Sequence, residues 1–395
     1  MDIIEKLAAI VGSDIQFTPG KCLHSADRTS TCDNCVAHCP TGAITGPPIN
    51  HNTDRCVKCG LCLHTCPTGA FNGDDSRANL LAHVAALAGR GEARTLEFVC
   101  KYHPAAEEGP ADASGVLRLP GCLGALSPSA FVAMAALGVE TVSLRLDRCQ
   151  NCPLGHAVVG IERAVGQARR LLDALDAPGS VQVITGEESS SGWGTRRVID
   201  TSGRPVFSRR GLFAGQEDES PLATGHALAA DESAERLGMP RERLRLLLAM
   251  ERLPGEMAEV PAGLGFARVE ASADCTACGM CARICPTGAL RMLEGDGGAY
   301  YLVLRAGACV DCGLCLTYCE PGALHAGSTP TLADLLCAQP VVLAIGSLRK
   351  CKKCGARFAG TEEQKLCPVC EFRRRNPFGF RLPAGSRGQA RQTEA

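Results

Sequence analysis

A chain of 395 residues has room for two to four domains, and 41 Lys and Arg against 42 Asp and Glu leave it a net charge of −1. So even a balance supplies no global field that would make nucleic acid or an anionic membrane the main partner. The departure from ordinary composition is 25 cysteines; disulfide-rich proteins are usually small, secreted and led by an export signal, so here the cysteines are expected to be metal ligands in a reduced, cytoplasmic compartment.

The chain opens with MDIIEKLAAIVGSDIQ, a short amphipathic segment with neither an apolar core nor a small-residue cleavage site. The longest apolar runs, at 130–138 and 340–345, fall far short of the ~18 residues that a membrane span needs. Internal repeats come next. CPTGAI begins at Cys39, CPTGAF at Cys66, CPTGAL at Cys285 and CEPGAL at Cys319, so four copies form two well-separated pairs.

In the first pair, Cys56, Cys59 and Cys62 stand two residues apart and Cys66 follows after three more. Three cysteines at this spacing wrap a tight loop around one cubane, and the fourth opens the next helix and reaches the other cluster. The preceding motif is looser: Cys22 is separated by nine residues, LHSADRTST, from Cys32, Cys35 and Cys39. The crossing rule gives one [4Fe–4S] set of Cys22, Cys32, Cys35 and Cys66, and a second of Cys39, Cys56, Cys59 and Cys62. Were Cys22 not a ligand, the first centre would be a three-iron cluster or would recruit His24.

Between the pairs, strands alternate with helices. TLEFVC (95–100), GVLRLP (115–120), VETVSLRL (139–146) and SVQVIT (180–185) read as short apolar strands. SPSAFVAMAALG and HAVVGIERAVGQARRLLDALD read as helices, the first with Ser127 as N-cap and Pro128 in its first turn, the second started by His156. That order predicts a parallel sheet with helices on its faces. Cys100 ends the first strand, Cys122 follows the second, and Cys149 and Cys152 follow the third. Sites in open α/β sheets form beyond the carboxyl ends of strands, so these four thiols are expected to converge on a [2Fe–2S] cluster, with zinc as the alternative.

Three stretches, FVCKYH, LPGCLGALSPSAFVAMAALGVETV and RCQNCPLGHAVVGIERA, resemble the delta (iron–sulfur) subunit of methyl-viologen-reducing hydrogenases over about 95–175. The resemblance implies a [2Fe–2S] domain that passes electrons between a hydrogenase and a heterodisulfide-reductase-like partner. The family's first motif usually has CxxC where this chain has Cys100-Lys-Tyr-His103, so His103 is the alternative ligand to a fourth thiolate.

GEESSSGWG (186–194) reads as flexible linker, and AERLGMPRERLRLLLAMERL (234–253) has helical spacing with Pro240 opening a second helix. SRRGLF (208–213) imitates a twin-arginine export motif but lies mid-chain before AGQEDES, so Arg209 and Arg210 are read as partners of carboxylates. The second pair is regular: Cys275, Cys278, Cys281 and Cys285, then Cys309, Cys312, Cys315 and Cys319. Crossing gives the sets Cys275, Cys278, Cys281 with Cys319, and Cys309, Cys312, Cys315 with Cys285. This pattern is similar to the bacterial two-cluster ferredoxins, with Glu320 and Pro321 departing from the usual proline after the fourth cysteine.

In the tail, Cys351, Cys354, Cys367 and Cys370 form two knuckles 12 residues apart, the spacing of a zinc ribbon, with a rubredoxin-like iron site as the minor option. EFRRRNPFGFRLP follows, where Arg373, Arg374 and Arg375 with Phe372, Phe378 and Phe380 could serve nucleic acid or, beside redox modules, a protein partner. Cys337 remains as a thiol expected to be buried in an apolar run.

The expected architecture is α+β multidomain: a two-cluster unit (1–75), a central α/β parallel-sheet unit (95–187), a linker with a helix (188–264), a second two-cluster unit (265–327), and a zinc ribbon with basic tail (345–395). No Walker loop or strand-borne GxGxxG supports a nucleotide or flavin site. The leading function is a non-catalytic relay subunit of a cytoplasmic oxidoreductase, holding four [4Fe–4S] clusters, one [2Fe–2S] cluster and one Zn. Its partners would be hydrogenase-like or heterodisulfide-reductase-like subunits. The alternatives are an enzyme using thiol or disulfide chemistry at the central site, and a redox-sensing regulator that binds nucleic acid.

Overall fold

The computed structural model describes residues 15–73, 76–110, 113–185, 193–202, 238–255, 257–360 and 363–376. All but the last two residues of the N-terminal amphipathic segment, SRRGLF, most of GEESSSGWG, and Phe378 and Phe380 lie outside the described residues.

Five parallel strands form the middle of the chain, in the spatial order Val198–Asp200, Gly115–Arg118, Thr95–Val99, Thr141–Arg145, Ser180–Ile184. Both faces are covered, so the strands are rich in buried Leu, Val and Phe, as in Leu96, Phe98, Leu117 and Leu144. All four strands read from sequence are present. The fifth, and the short Trp193–Thr195 strand antiparallel to Glu108–Pro110, come from stretches read as linker. Strands of three residues are too short to carry a readable period.

Pro128–Ala136 is capped as expected: the Ser127 hydroxyl accepts from the Ala130 amide at 3.2 Å, with Pro128 at the first turn. Ala157–Ala174 starts after His156 and buries Ile161, Ala164, Ala168 and Leu171 on one side. An unanticipated helix, Ser76–Ala88, adds Leu80, Leu81, Val84 and Leu87 to the same core. Its alanine-rich sequence has little contrast between faces, which hides it from periodicity.

The helix that Pro240 opens, Arg241–Met250, is a keystone. Glu242 takes Arg77 at 2.7 Å, Arg245 at 2.6 Å and the Ser129 hydroxyl at 2.5 Å. On the other side Arg243 stacks over Phe266 at 3.8 Å and donates to the carbonyl of Cys309 at 2.7 Å. One helix thereby ties the central sheet to the second two-cluster unit.

That unit pairs Val269–Ala271 with Leu324–Ala326 and builds an antiparallel sheet from Leu290–Glu294, Ala299–Leu304, Val341–Lys350 and Arg357–Ala359. Val341–Lys350 is continuous from this sheet into the tail knuckles, so the expected boundary at 345 falls in mid-strand. Cys337 corrects an expectation: it is exposed, because it caps Leu332–Leu336 at a surface turn instead of lying within a buried run.

The N-terminal unit has two tiny antiparallel pairs, Gln16–Phe17 with Phe71–Asn72 and Ile44–Thr45 with Asn50–His51. Its core of Ile15, Ile44 and Phe71 is completed by Cys35 and Cys62. So small an apolar core needs staples of another kind. Among the described residues no helix is long and apolar enough to cross a membrane.

Candidate metal centres

Three of the four cysteine loops repeat one backbone conformation. Lys58, Ala277 and Asp311, each just before the middle cysteine, have φ of 52°, 51° and 53°, and Gly60, Gly279 and Gly313, just after it, have φ of 85°, 68° and 70°. Non-glycine residues there cost on the order of 1–3 kcal/mol each, which a fold tolerates where a loop must wrap something. The long-loop motif differs: Asp33 replaces the glycine, with φ of −121°.

The expected cysteine sets come together. Cys22, Cys32, Cys35 and Cys66 line one cavity, and Cys275, Cys278, Cys281 and Cys319 line another. A third holds Cys285, Cys309, Cys312 and Cys315. Cys62 lies within electrostatic reach of Cys59, Cys56 and Cys39, the fourth expected set. His24 also faces the first cavity, but its Nε2 bonds the Cys32 carbonyl at 2.7 Å.

Burial pushes the thiols of Cys35, Cys59 and Cys315 up to about 12 and that of Cys281 up to about 11. Thiols so desolvated do not ionise alone in neutral water; a bound cationic centre is what makes them thiolates. The CPTGA repeat also has a role beside sulfur. Thr68 Oγ1 lies 3.5 Å from Cys66 Sγ, while Thr41 and Thr287 lie 3.8 Å from Cys39 and Cys285. Thr287 donates to the Ala308 carbonyl at 2.7 Å, so its proton is already committed. At Cys319 the corresponding residue is Pro321, which has no hydroxyl to offer.

In the central unit, Cys100, Cys122, Cys149 and Cys152 line a single cavity with Leu123, Leu154 and Ile161. It opens at the carboxyl ends of the strands, where the chain passes from one side of Thr95–Val99 to the other. The Gly124 and Leu154 amides donate to Cys122 and Cys152 sulfurs, each at 3.4 Å, and burial pushes Cys149 up to about 12. His103 is turned elsewhere. Its Nε2 meets Asp147 Oδ1 at 3.2 Å and its Nδ1 accepts from the Ala105 amide at 3.3 Å. Both ring nitrogens are thus engaged, and the residue belongs to a buried ion cluster. Arg145, fully buried, grips Asp147 through Nε at 2.9 Å and Nη2 at 3.1 Å, approaches Glu97 at 3.3 Å and lies under Trp193 at 4.3 Å. Arg196 clamps the same Glu97 at 2.8 Å. Its signs in the sequence are charges within strand runs, Glu97 in TLEFV and Arg145 at the end of TVSLR.

In the tail, sulfurs of Cys351, Cys354, Cys367 and Cys370 all lie within 4.8 Å of one another. Tetrahedral ligation at a Zn–S distance of 2.3 Å would put sulfurs about 3.8 Å apart, and Cys354 and Cys367 stand at 3.7 Å. Amides of Cys354 and Cys367 hold the Cys351 thiol below its ordinary value. Among the described residues no other group of three or more potential ligands is drawn in to this single-ion spacing.

The centres also adjoin one another. Cys35 is within electrostatic reach of Cys62, and Cys281 of Cys315. Cys59, Leu61, Ala157 and Cys122 pack in one apolar cluster, joining the N-terminal unit to the central cavity. Leu61 fits against Gly160, where a Cβ would stand 2.5 Å from its Cδ2. A cleft of about 720 Å³ separates the two cysteine-rich units and is lined by Cys32, Cys66 and Cys312.

Comparison with known families finds a 4Fe-4S dicluster domain at residues 274–323 and a 4Fe-4S binding domain at 49–72. No curated protein matches the chain. The chain therefore carries two ferredoxin-type 4Fe–4S units. The shorter match covers Cys56, Cys59, Cys62 and Cys66 and leaves the long-loop motif outside it.

Proposed function

We propose that this chain is an iron–sulfur relay subunit of a larger oxidoreductase, passing single electrons through four [4Fe–4S] clusters and one [2Fe–2S] cluster. The cubane ligands are Cys22, Cys32, Cys35 and Cys66; Cys39, Cys56, Cys59 and Cys62; Cys275, Cys278, Cys281 and Cys319; and Cys285, Cys309, Cys312 and Cys315. Cys100, Cys122, Cys149 and Cys152 hold the [2Fe–2S] centre, and Cys351, Cys354, Cys367 and Cys370 hold zinc.

The observation that carries this reading is the succession of sites. From the 275–281 loop, neighbouring sets follow through Cys281 and Cys315, across the cleft from Cys312 to Cys32 and Cys66, through Cys35 and Cys62, and through Cys59 and Cys122. Isolated structural clusters have no need to adjoin. The central four thiols share one cavity without the close spacing of the tail set, which favours two irons bridged by sulfide over one zinc ion. The hydrogenase-delta resemblance over about 95–175 supports a hydrogenase-like or heterodisulfide-reductase-like partner at that end.

Anaerobic purification with metal analysis tests the assignment. About 18 iron and one zinc per chain are expected; about 16 iron with two zinc would remove the [2Fe–2S] centre. Co-purification with no redox enzyme would count against the relay.

A further inference from the structure

The tail knuckles are a fixed attachment to the end of the chain of centres farthest from the central cavity. Val341–Lys350 runs out of the ferredoxin sheet and pairs with Arg357–Ala359. The Ala359 amide then donates to the carbonyl of Thr276 at 3.4 Å, inside the 275–278 loop, and Arg357 pairs with Glu294 of the same sheet. The knuckles thus lean on the loop of the terminal cysteine set, where Cys278 is exposed and Met280 is 39% exposed.

Charge collects at this end. The whole chain is at −1, yet residues 345–376 hold nine Lys and Arg against three Glu. Lys350, Lys352, Lys353 and the three arginines of Pro368–Arg375 are exposed. On that helix Val369 and Phe372, one turn apart on one face, are 59% and 57% exposed. Arg374 and Arg375 pair with Glu371 on the same helix at 2.6 and 3.0 Å, and the segment still keeps an excess of cations beside exposed Val369 and Phe372. An exposed apolar pair on so basic a segment has the make-up of a protein-docking patch: the anchor supplies affinity and the charges steer encounter. Single-stranded nucleic acid would exploit stacking aromatics along a groove, to which a valine adds nothing.

We propose that this face docks an acidic protein that carries one electron at a time and exchanges it with the cluster at Cys275, Cys278, Cys281 and Cys319. The inference rests on the relay reading. The carrier's reduced centre loses one electron and the cubane passes from its 2+ to its 1+ state, with no bond made or broken.

The test uses the full, cluster-loaded chain and a pre-reduced acidic [2Fe–2S] ferredoxin as probe, mixed by stopped flow at low and high salt. The second-order rate should fall about tenfold or more with salt, as steered encounters do. It should fall by a similar factor in Arg373→Glu/Arg375→Glu, and severalfold in Phe372→Ala, with iron and zinc contents unchanged. Lys350→Glu, at the end of the strand that pairs with Arg357, should also slow the reaction, and an unchanged zinc content shows that the knuckles still fold. A rate indifferent to salt and to these charges, while dithionite still reduces the cubanes, overturns the docking face and leaves the relay standing. Variants that lose salt-dependent binding to DNA but keep the wild-type rate also overturn it, in favour of nucleic acid. Cubanes that no reductant reduces remove the relay, and this proposal with it.

Discussion

Nε2 of His64, on the short helix that bears Cys62, donates to the carbonyl oxygen of Gly124 at 2.9 Å, two residues beyond Cys122. Desolvation pulls His64 down to about 4, so the ring is neutral near pH 7 and the carbonyl selects its tautomer. The hydrogen bond spans the joint between the N-terminal unit and the central cavity, and it sits beside the contact of Leu61 with Gly160.

Gly160→Val should therefore strain that joint. Its new side chain meets Leu61 in a packed seam, and overfilling of this kind costs about 1–3 kcal/mol. The melting temperature of the loaded protein should drop by a few degrees without loss of iron. An unchanged melting temperature would mean that the Leu61 seam is soft.

At the central cavity, Cys149→Ala should abolish the [2Fe–2S] spectrum while His103→Leu leaves it intact. Because Asp147 and Arg145 are buried around His103, the histidine variant should nonetheless lose about 1–3 kcal/mol of stability. A wild-type spectrum bearing an imidazole-nitrogen signature that disappears in His103→Leu would refute four-thiolate ligation.

Hydrogen bonds to sulfur favour the more negative, reduced cluster, so removing one lowers the potential. Thr68→Val should lower that of the cluster held by Cys66 by a few tens of millivolts, equivalent to about 1 kcal/mol. Thr287→Val should do less, because Thr287 already donates to Ala308. Redox titration followed by EPR separates the two; equal shifts would remove the hydroxyl–sulfur contact as the cause.

The tail offers Phe358 and Leu366 as nearly all its apolar interior. The zinc proposed at its four cysteines would then stand in for a core. A chelator should withdraw about one zinc and open residues 351–370 to protease, with iron unchanged. Continued resistance after zinc loss would show that the metal is not structural there.

Much of this was legible in sequence because it is local. Spacings of two and three residues announce the cubane loops, and four apolar runs with intervening helices announce the parallel sheet that gathers Cys100, Cys122, Cys149 and Cys152. What escaped depends on distant partners. Arg145 is intelligible only beside Glu97 and Asp147, and Glu242 only beside Arg77 and Ser129. Cys337 was misplaced because an apolar neighbourhood in sequence says little about a surface turn. Val198–Asp200 is too short to declare itself.

The N-terminal unit meets its two neighbours on unequal terms. On one side Gly60 and Gly160 let it dovetail with the central unit; on the other, the Tyr318 phenol leans toward Asp27 beside an open cleft. Conductors in series run at the pace of their worst joint, and tunnelling weakens steeply with each ångström of gap. If electrons pass along these centres in series, the crossing beside that cleft is the step its width governs, whereas the packed seam at Gly160 fixes the other.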